Sequence, residues 1–275
     1  MTSPAFAQTI AFIGGGNMAT AIIGGLIRQG LPAPKIEVVE PVAEARDKLL
    51  AQFGIQAQEG CSAALAQAQL VVWAVKPQAF KDAAAQARPH TGEALHLSVA
   101  AGIRSDSIAK WLSTQRIVRS MPNTPALVGK GMTALYARPG VSAGDKSLVE
   151  QVIATTGDSL WVAEEENLDA VTALSGSGPA YVFFFLEAMT AAGVEMGLSP
   201  DQAYRLAVGT FAGASALARA SDDPPQVLRQ RVTSKGGTTH AAIMSMEQGH
   251  VKALFIKALH AARQRARELG DEFGG

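Results

Sequence analysis

"TIAFIGGGNMATAIIGGLIRQG", from Thr9 to Gly30, starts as a short, apolar, β-rich run and passes through three glycines into a different rhythm. Ala19, Ile22, Ile23, Leu26 and Ile27 recur at helical spacing, so the segment reads as strand, tight turn and helix. Gly14, Gly16 and Ala19 form G-x-G-x-x-A across the turn. Gly14 permits a sharp bend, Gly16 lets a pyrophosphate approach the backbone, and Ala19 lets the helix pack closely on the sheet. The positive end of the helix dipole then faces the phosphates. Any tight strand-to-helix turn could use the same glycines, but a second strand ending in an acidic residue follows, which favours a dinucleotide.

That second strand is "KIEVVE", Lys35 to Glu40. A carboxylate at Glu40 can accept hydrogen bonds from the ribose 2'-hydroxyl of NAD and would repel the 2'-phosphate of NADP, which leans towards NADH. Arg46, six residues on, could still reach a 2'-phosphate. "AEARDKLLAQFG" reads as a helix closed by Gly54. "LVVWAV" (Leu70 to Val75), "ALHLSVA" (Ala94 to Ala100) and "RIVRSM" (Arg116 to Met121) supply further strands with Ala-rich helices between them. Alternating strands and helices predict an α/β, Rossmann-type, doubly wound parallel sheet covered on both faces. Near Trp161 strand-like runs give way to long helical patterns, which predicts an all-α second domain and a division into 1–164 and 165–275. There "YVFFFLEAM" is apolar nearly all round and predicts a helix buried on every side, against a second subunit. Ser199-Pro200 and Asp223-Pro224 mark helix starts. In the last helix Val251, Leu254, Phe255, Ala258, Leu259 and Ala262 form one packing face, with Lys252, Lys257, Arg263 and Arg267 as a solvated one.

The 275 residues are 48% apolar and suit two domains with sizeable cores. Lys plus Arg and Asp plus Glu both number 24, so zero net charge gives no field that favours nucleic acid or an anionic membrane. Cys61 is the only cysteine, which excludes an intramolecular disulfide and a cysteine-based metal site, and no metal is expected. No Lys or Arg precedes Arg28, and no apolar run approaches the roughly 18 residues of a membrane span, so a cytoplasmic protein is expected.

A second glycine turn, "VTSKGGTTH" from Val232 to His240, lies between two helical stretches. It suits a phosphate cradle, a hinge, or a site for a different small anion. Lys235 precedes the glycine pair, the reverse of a P-loop, and suits a solvated residue; His240 suits a surface or capping role. Between the two glycine turns, "AVKP" (Ala74 to Pro77), "AAG" (Ala100 to Gly102) and "MPNTP" (Met121 to Pro125, with Asn123) fall at carboxyl ends of strands, where open α/β sheets bind ligands.

"FIGGGNMA", "AVKPQ", "SVAAG", "RSMPNTPALVG", "LSGSGPAYVF" and "VTSKGGTTHAAI" occur in the order and at about the separations seen in pyrroline-5-carboxylate reductases. The chain resembles that family from about Ile10 to Leu269, and the last three motifs are specific to it. The resemblance implies reduction of the cyclic imine pyrroline-5-carboxylate to L-proline by NADPH or NADH. It also implies a helical C-terminal dimerisation domain and a homodimer that assembles further, commonly into a decamer. Carried over by motif, Ile13, Gly14, Gly15, Gly16, Asn17 and Met18 hold pyrophosphate. Ala74, Val75, Lys76, Pro77, Ala100, Ala101 and Gly102 take the ribose and nicotinamide side, with Asn123 near the nicotinamide end. Glu165, Ser234, Gly237, Thr238 and Thr239 surround the substrate. Two positions depart from the pattern. Many members have Ser or Thr near Glu40, which weakens the case for NADP, and some have Asn at Arg231.

Imine reduction needs a hydride donor, an electrophilic carbon and a pocket that fixes their approach. A protonated iminium yields the amine directly, so no strong general acid is required, and positioning and electrostatics carry the acceleration. The substrate carboxylate needs convergent donors, which Gly236, Gly237, Thr238 and Thr239 can offer at a helix start. Thr239 is the one residue expected in a catalytic contact, to the ring nitrogen. Two other readings share the first glycine turn. A β-hydroxyacid dehydrogenase needs a lysine in the first long helix after the sheet, and "AYVFFFLEAMTAAG" has none. A non-catalytic redox sensor has no reason to keep a second, hydroxyl-rich turn.

Overall fold

The computed structural model describes residues 8–273, which form two compact units. The first runs to Ser177 and takes up the chain again from Ala262; the second is Gly178–Ala261. This break falls beyond the 164/165 division read from composition, because the short helical turns after Trp161 pack with the sheet unit.

In the first unit strands and helices alternate. The chain lays down β1 Ile10–Ile13, α1 Asn17–Arg28, β2 Ile36–Val39, α2 Ala43–Phe53, β3 Leu70–Trp73, α3 Pro77–Ala87, β4 Leu95–Ser98 and α4 Ser105–Leu112. It continues with β5 Ile117–Met121, β6 Gly131–Ala137, α5 Ala143–Ala154, β7 Gly157–Trp161 and α6 Asn167–Val171. A π-helical turn, Thr172–Gly176, follows. The strand order is β2-β1-β3-β4-β5-β6-β7. The first five strands are parallel, β6 runs antiparallel to β5, and β7 is parallel to β6. The sheet is thus mostly parallel, as expected, with one antiparallel pairing between β5 and β6, and its buried β-rich runs need cover on both faces.

Successive side chains of a strand point to opposite faces, and β1 shows both layers. Ile10 and Phe12 join a core with Ile22, Ile23 and Leu26 of α1 and Val149, Val152 and Ile153 of α5. Ala11 and Ile13 join another with Phe80 and Ala84 of α3 and Ile108 and Leu112 of α4. In that second layer Trp73 stacks on Phe80 with ring centroids 4.8 Å apart, and its Nε1 donates to His96 Nδ1 at 3.0 Å. Chain order reverses between β1 and β3, so their carboxyl ends form the topological switch point where ligands bind in this class of sheet.

The second unit is helical: α7 Gly178–Glu195, α8 Pro200–Arg219, α9 Pro225–Arg231, α10 Thr238–Gln248 and the first part of α11 Val251–Phe273. Ser199 caps α8 in a reciprocal capping box with Gln202, ahead of Pro200 at the first turn. The helix α7 is not buried on every side within this chain, since Phe183 and Phe184 are 58% and 66% exposed. On α11 Leu254 is 61% exposed, so the apolar face read from the sequence is only partly covered. No helix of the described residues is long and apolar enough to cross a membrane.

Candidate active site

The carboxyl edge of the first unit's sheet carries the first glycine turn. Gly14 has φ +95°, and a Cβ there would lie 2.7 Å from the Ala74 carbonyl oxygen, so both conformation and space demand glycine. Two backbone bonds set that close approach: Gly14 N–H donates to Val39 O and Ala74 N–H to Ile13 O, each at 2.8 Å. Gly16 caps α1 with no side-chain bond, and a Cβ on it would meet nothing within 4 Å. The first intrahelical bond is Thr20 N–H to Gly16 O, so the amides of Asn17, Met18 and Ala19 open the helix without an intrahelical acceptor. Open space beside Gly16, uncapped amides and a helix dipole fit a dinucleotide pyrophosphate.

Glu40 sits directly after β2 and is only 8% exposed. Its Oε2 accepts from Gly15 N–H at 2.7 Å and its Oε1 from Val42 N–H at 2.8 Å. The carboxylate thus braces the glycine turn. Arg46 donates through one guanidinium nitrogen to the carbonyl oxygens of Glu40 and Pro41, at 2.9 and 2.7 Å. A cation consequently lies beside the anionic strand end, and the local balance opposes a 2'-phosphate less than Glu40 alone would.

The other sheet-edge motifs leave neighbouring strands on the same edge. Ala74 to Lys76 follow β3, with Lys76 at the cap of α3 and Pro77 in its first turn. Ala100 to Gly102 follow β4, and Gly102 has φ +74°, with Leu269 of α11 at 3.4 Å from where a Cβ would stand. Asn123 follows β5, where both ends of its carboxamide are engaged. Its Oδ1 accepts from Met132 N–H at 2.9 Å, and its Nδ2 donates to the backbone oxygen and Oγ of Ser175, at 3.3 and 3.2 Å. Ile13 to Met18, Ala74 to Pro77, Ala100 to Gly102 and Asn123 are therefore brought to one edge of one unit.

Glu165 lies in a network that its sequence context did not announce. Its Oε1 accepts from Ser105 N–H at 2.6 Å and from Arg119 at 2.5 Å, and its Oε2 from Ser105 Oγ at 2.5 Å. Arg138 donates to Ser105 Oγ at 2.9 Å, and Arg104 pairs with Asp169 at 2.9 Å. Arg119 is 5% exposed, and its burial pulls the guanidinium below its ordinary pKa, with Glu165 opposing that shift. The partners of Glu165 stand 46 to 60 residues away in the chain, so no local pattern could have revealed them. The described residues contain no group of three or more His, Cys, Asp or Glu side chains placed to hold a metal ion.

In the second unit, the glycine turn between α9 and α10 repeats the logic of the first. Gly236 has φ +78°, and Gly237 N–H donates to Ser234 O at 3.0 Å. A Cβ at Gly237 would lie 2.6 Å from Ser234 Oγ, so a side chain there would displace that hydroxyl. Gly237 caps α10 without a side-chain acceptor, and the first intrahelical bond is Ala241 N–H to Gly237 O at 3.1 Å. The amides of Thr238, Thr239 and His240 therefore open the helix without intrahelical partners, with two threonine hydroxyls beside them. Such an end attracts an anion with about 0.3–1 kcal/mol, and charge-assisted hydrogen bonds add to it.

The chain was compared with known proteins. Residues 165–269 match the family model for pyrroline-5-carboxylate reductase dimerisation, and residues 9–102 match that for NADP oxidoreductase, coenzyme F420-dependent. The pyrroline-5-carboxylate reductase of Pseudomonas aeruginosa is 46% identical over 267 residues, covering 96% of this chain and 98% of that one. A solved pyrroline-5-carboxylate reductase from Coxiella burnetii superposes with a TM-score of 0.89 at 38% identity, covering 96% and 99% of the two chains. The pyrroline carboxylate reductase of Plasmodium falciparum, solved with NADP bound, gives 0.85 at 27% identity over 96% of this chain and 98% of that one.

Proposed function

The chain belongs to the pyrroline-5-carboxylate reductase family, and from that premise we propose which of its residues perform the reaction. It is an NAD(P)H-dependent oxidoreductase that reduces the C=N bond of pyrroline-5-carboxylate to give L-proline. When bound, the reduced nicotinamide supplies the hydride. The chain's own contribution is to bind, orient and stabilise charge.

The amides of Asn17 and Met18, opened by Gly14 to Gly16, hold the pyrophosphate. Glu40 faces the adenosine ribose while bracing Gly15, and Arg46 allows a 2'-phosphate beside it. Ala74 to Pro77 and Ala100 to Gly102 offer small side chains and a rigid proline along the path to the nicotinamide, with Asn123 beyond them. In the second unit the substrate carboxylate binds the start of α10, through backbone amides at Gly237 and Thr238 and hydroxyl groups of Ser234 and Thr239. Thr239 is also assigned the contact to the ring nitrogen, which orients the imine without demanding a proton from the protein. Glu165 is assigned to the substrate side through the network that fixes it to Ser105 and Arg119.

The single observation that carries this assignment is the second glycine-capped helix start, at Gly237. The phosphates already have a site at Gly14 to Gly16, so a second uncapped, hydroxyl-rich helix start suits a different anion. Removal of the hydroxyl in Thr239→Val tests it. Loss of one bond to a charged group lowers kcat/KM for the imine by about ten- to a hundredfold, with NADPH affinity unchanged. Unaltered kinetics would count against the assignment.

The functional division into a dinucleotide-binding segment, 1–164, and a substrate and dimerisation segment, 165–275, draws support from the family match that starts at residue 165. Oligomerisation follows from the same match, and we propose a homodimer that assembles into a decamer, in the cytoplasm. The exposed Phe183 and Phe184 support an interface on α7.

A further inference from the structure

We propose that Asn123 is a positioning residue that holds the π-turn at Thr172–Gly176 in its reactive shape, and does not itself touch the cofactor. The inference rests on the reductase reading above and takes the "SGSGP" segment, part of a motif specific to that family, to line the substrate.

A π-turn inserts an extra residue into a helix, is less favourable than an α-turn, and occurs mostly at functional sites. Here Ser177 N–H reaches back five residues to Thr172 O at 2.8 Å, and Thr172 Oγ donates to Leu168 O at 2.7 Å. The sequence around it, Ser175-Gly176-Ser177-Gly178, has little side-chain bulk to hold a shape on its own. External support comes from the segment Met121 to Asn123. The Met121 side chain lies so close to Gly176 that a Cβ there would clash with its terminal methyl. Asn123 grips the next residue: its Nδ2 donates to both the carbonyl oxygen and Oγ of Ser175, at 3.3 and 3.2 Å. Its Oδ1 accepts from the backbone N–H of Met132, the second residue of β6. A backbone N–H is only a donor, so that bond fixes which end of the carboxamide is oxygen and aims the NH₂ group at Ser175. The amide therefore ties the π-turn to the sheet, and its NH₂ group is engaged within the protein. A residue in contact with nicotinamide would keep an amide group free for it.

The test uses Asn123→Asp, which keeps the acceptor for Met132 but replaces the donor facing Ser175 with an oxygen, and Ser175→Ala, which removes only the Oγ partner. Steady-state kinetics with pyrroline-5-carboxylate are combined with fluorescence titration of NADPH and with amide hydrogen exchange across 172–177. For Asn123→Asp the expected result is a fall in kcat/KM for the imine of about tenfold or more, with NADPH affinity held within about twofold and exchange at Ser177 accelerated. Ser175→Ala is expected to give a smaller loss of the same kind, and the double variant less than the sum. NADPH affinity weakened in step with the kinetics would overturn the proposal in favour of a direct cofactor contact. Unchanged kinetics or unchanged exchange at Ser177 would overturn it as well. If the wild type fails to reduce the imine with either cofactor, the reductase assignment falls, and the exchange measurement still decides whether Asn123 holds the turn.

Discussion

His96 shows how one buried residue sets a pH limit on the fold. It is 1% exposed, accepts the Trp73 indole N–H at Nδ1 and hydrogen-bonds the Thr91 backbone, so it folds as a neutral ring. Burial is the main cause that lowers its pKa from 6.5 to about 4. The unfolded chain therefore binds a proton that the folded chain refuses between those values. Its contribution is fully present above pH 6.5 and is lost as pH falls towards 4. Urea unfolding at pH 7 and pH 4.5 should show an acid loss in the wild type that exceeds that of His96→Gln by roughly 2 kcal/mol. An equal acid loss in both would refute the assignment. Glu40 supports a second residue-scale prediction. Glu40→Ser removes the negative charge but also the acceptor for Gly15 N–H. Both cofactors should bind more weakly, while the ratio of NADPH to NADH affinity rises by about tenfold, since a like charge opposite the 2'-phosphate costs of order 1 kcal/mol or more. An unmoved ratio would mean that Glu40 is purely a brace.

Among elements, the β1–α1 turn is the most constrained. Gly14→Ala places a methyl group against the Ala74 carbonyl at a backbone φ of +95°. Strain of about 1–3 kcal/mol is expected, seen as a lower unfolding midpoint and as NADPH binding weakened at least about tenfold; binding within twofold of the wild type would show that the turn tolerates a side chain. This turn was legible in the sequence because strand, glycines and helix are contiguous, as were β2 to β5, whose apolar runs are buried on both faces. Strands β6 and β7 were not. The residues of β7, "GDSLW", are all partly or fully exposed, and a half-covered edge strand carries no apolar run to read. The start of α10 was legible for the same reason as the first turn. The ties from Asn123 to Ser175 and from Glu165 to Arg119 were not, because they join residues 52 and 46 positions apart through side chains. Only the fold decides which strand ends become neighbours.

At the scale of the molecule, the helical unit leaves large apolar side chains uncovered, including Phe183, Phe184, Leu206, Leu217 and Leu254. Exposed apolar surface of this extent marks a partner surface. The uniform hydrophobicity of α7 predicts burial on every side, yet the single chain leaves Phe183 and Phe184 exposed, in keeping with the proposal that a second copy covers them. Phe184→Arg should convert the oligomer into smaller species in sedimentation equilibrium, and an unchanged mass would place the interface elsewhere. Two glycine-capped helix starts, one in each unit, carry the proposed assignment: the first to the phosphates of the cofactor and the second to the carboxylate of the substrate. The most direct test is to mix purified protein with pyrroline-5-carboxylate and NADPH or NADH and to follow both cofactor oxidation and proline formation, for the wild type and for Thr239→Val. The account predicts equal amounts of oxidised cofactor and proline from the wild type, with turnover strongly reduced in the variant. No oxidation of either cofactor by the wild type would contradict it.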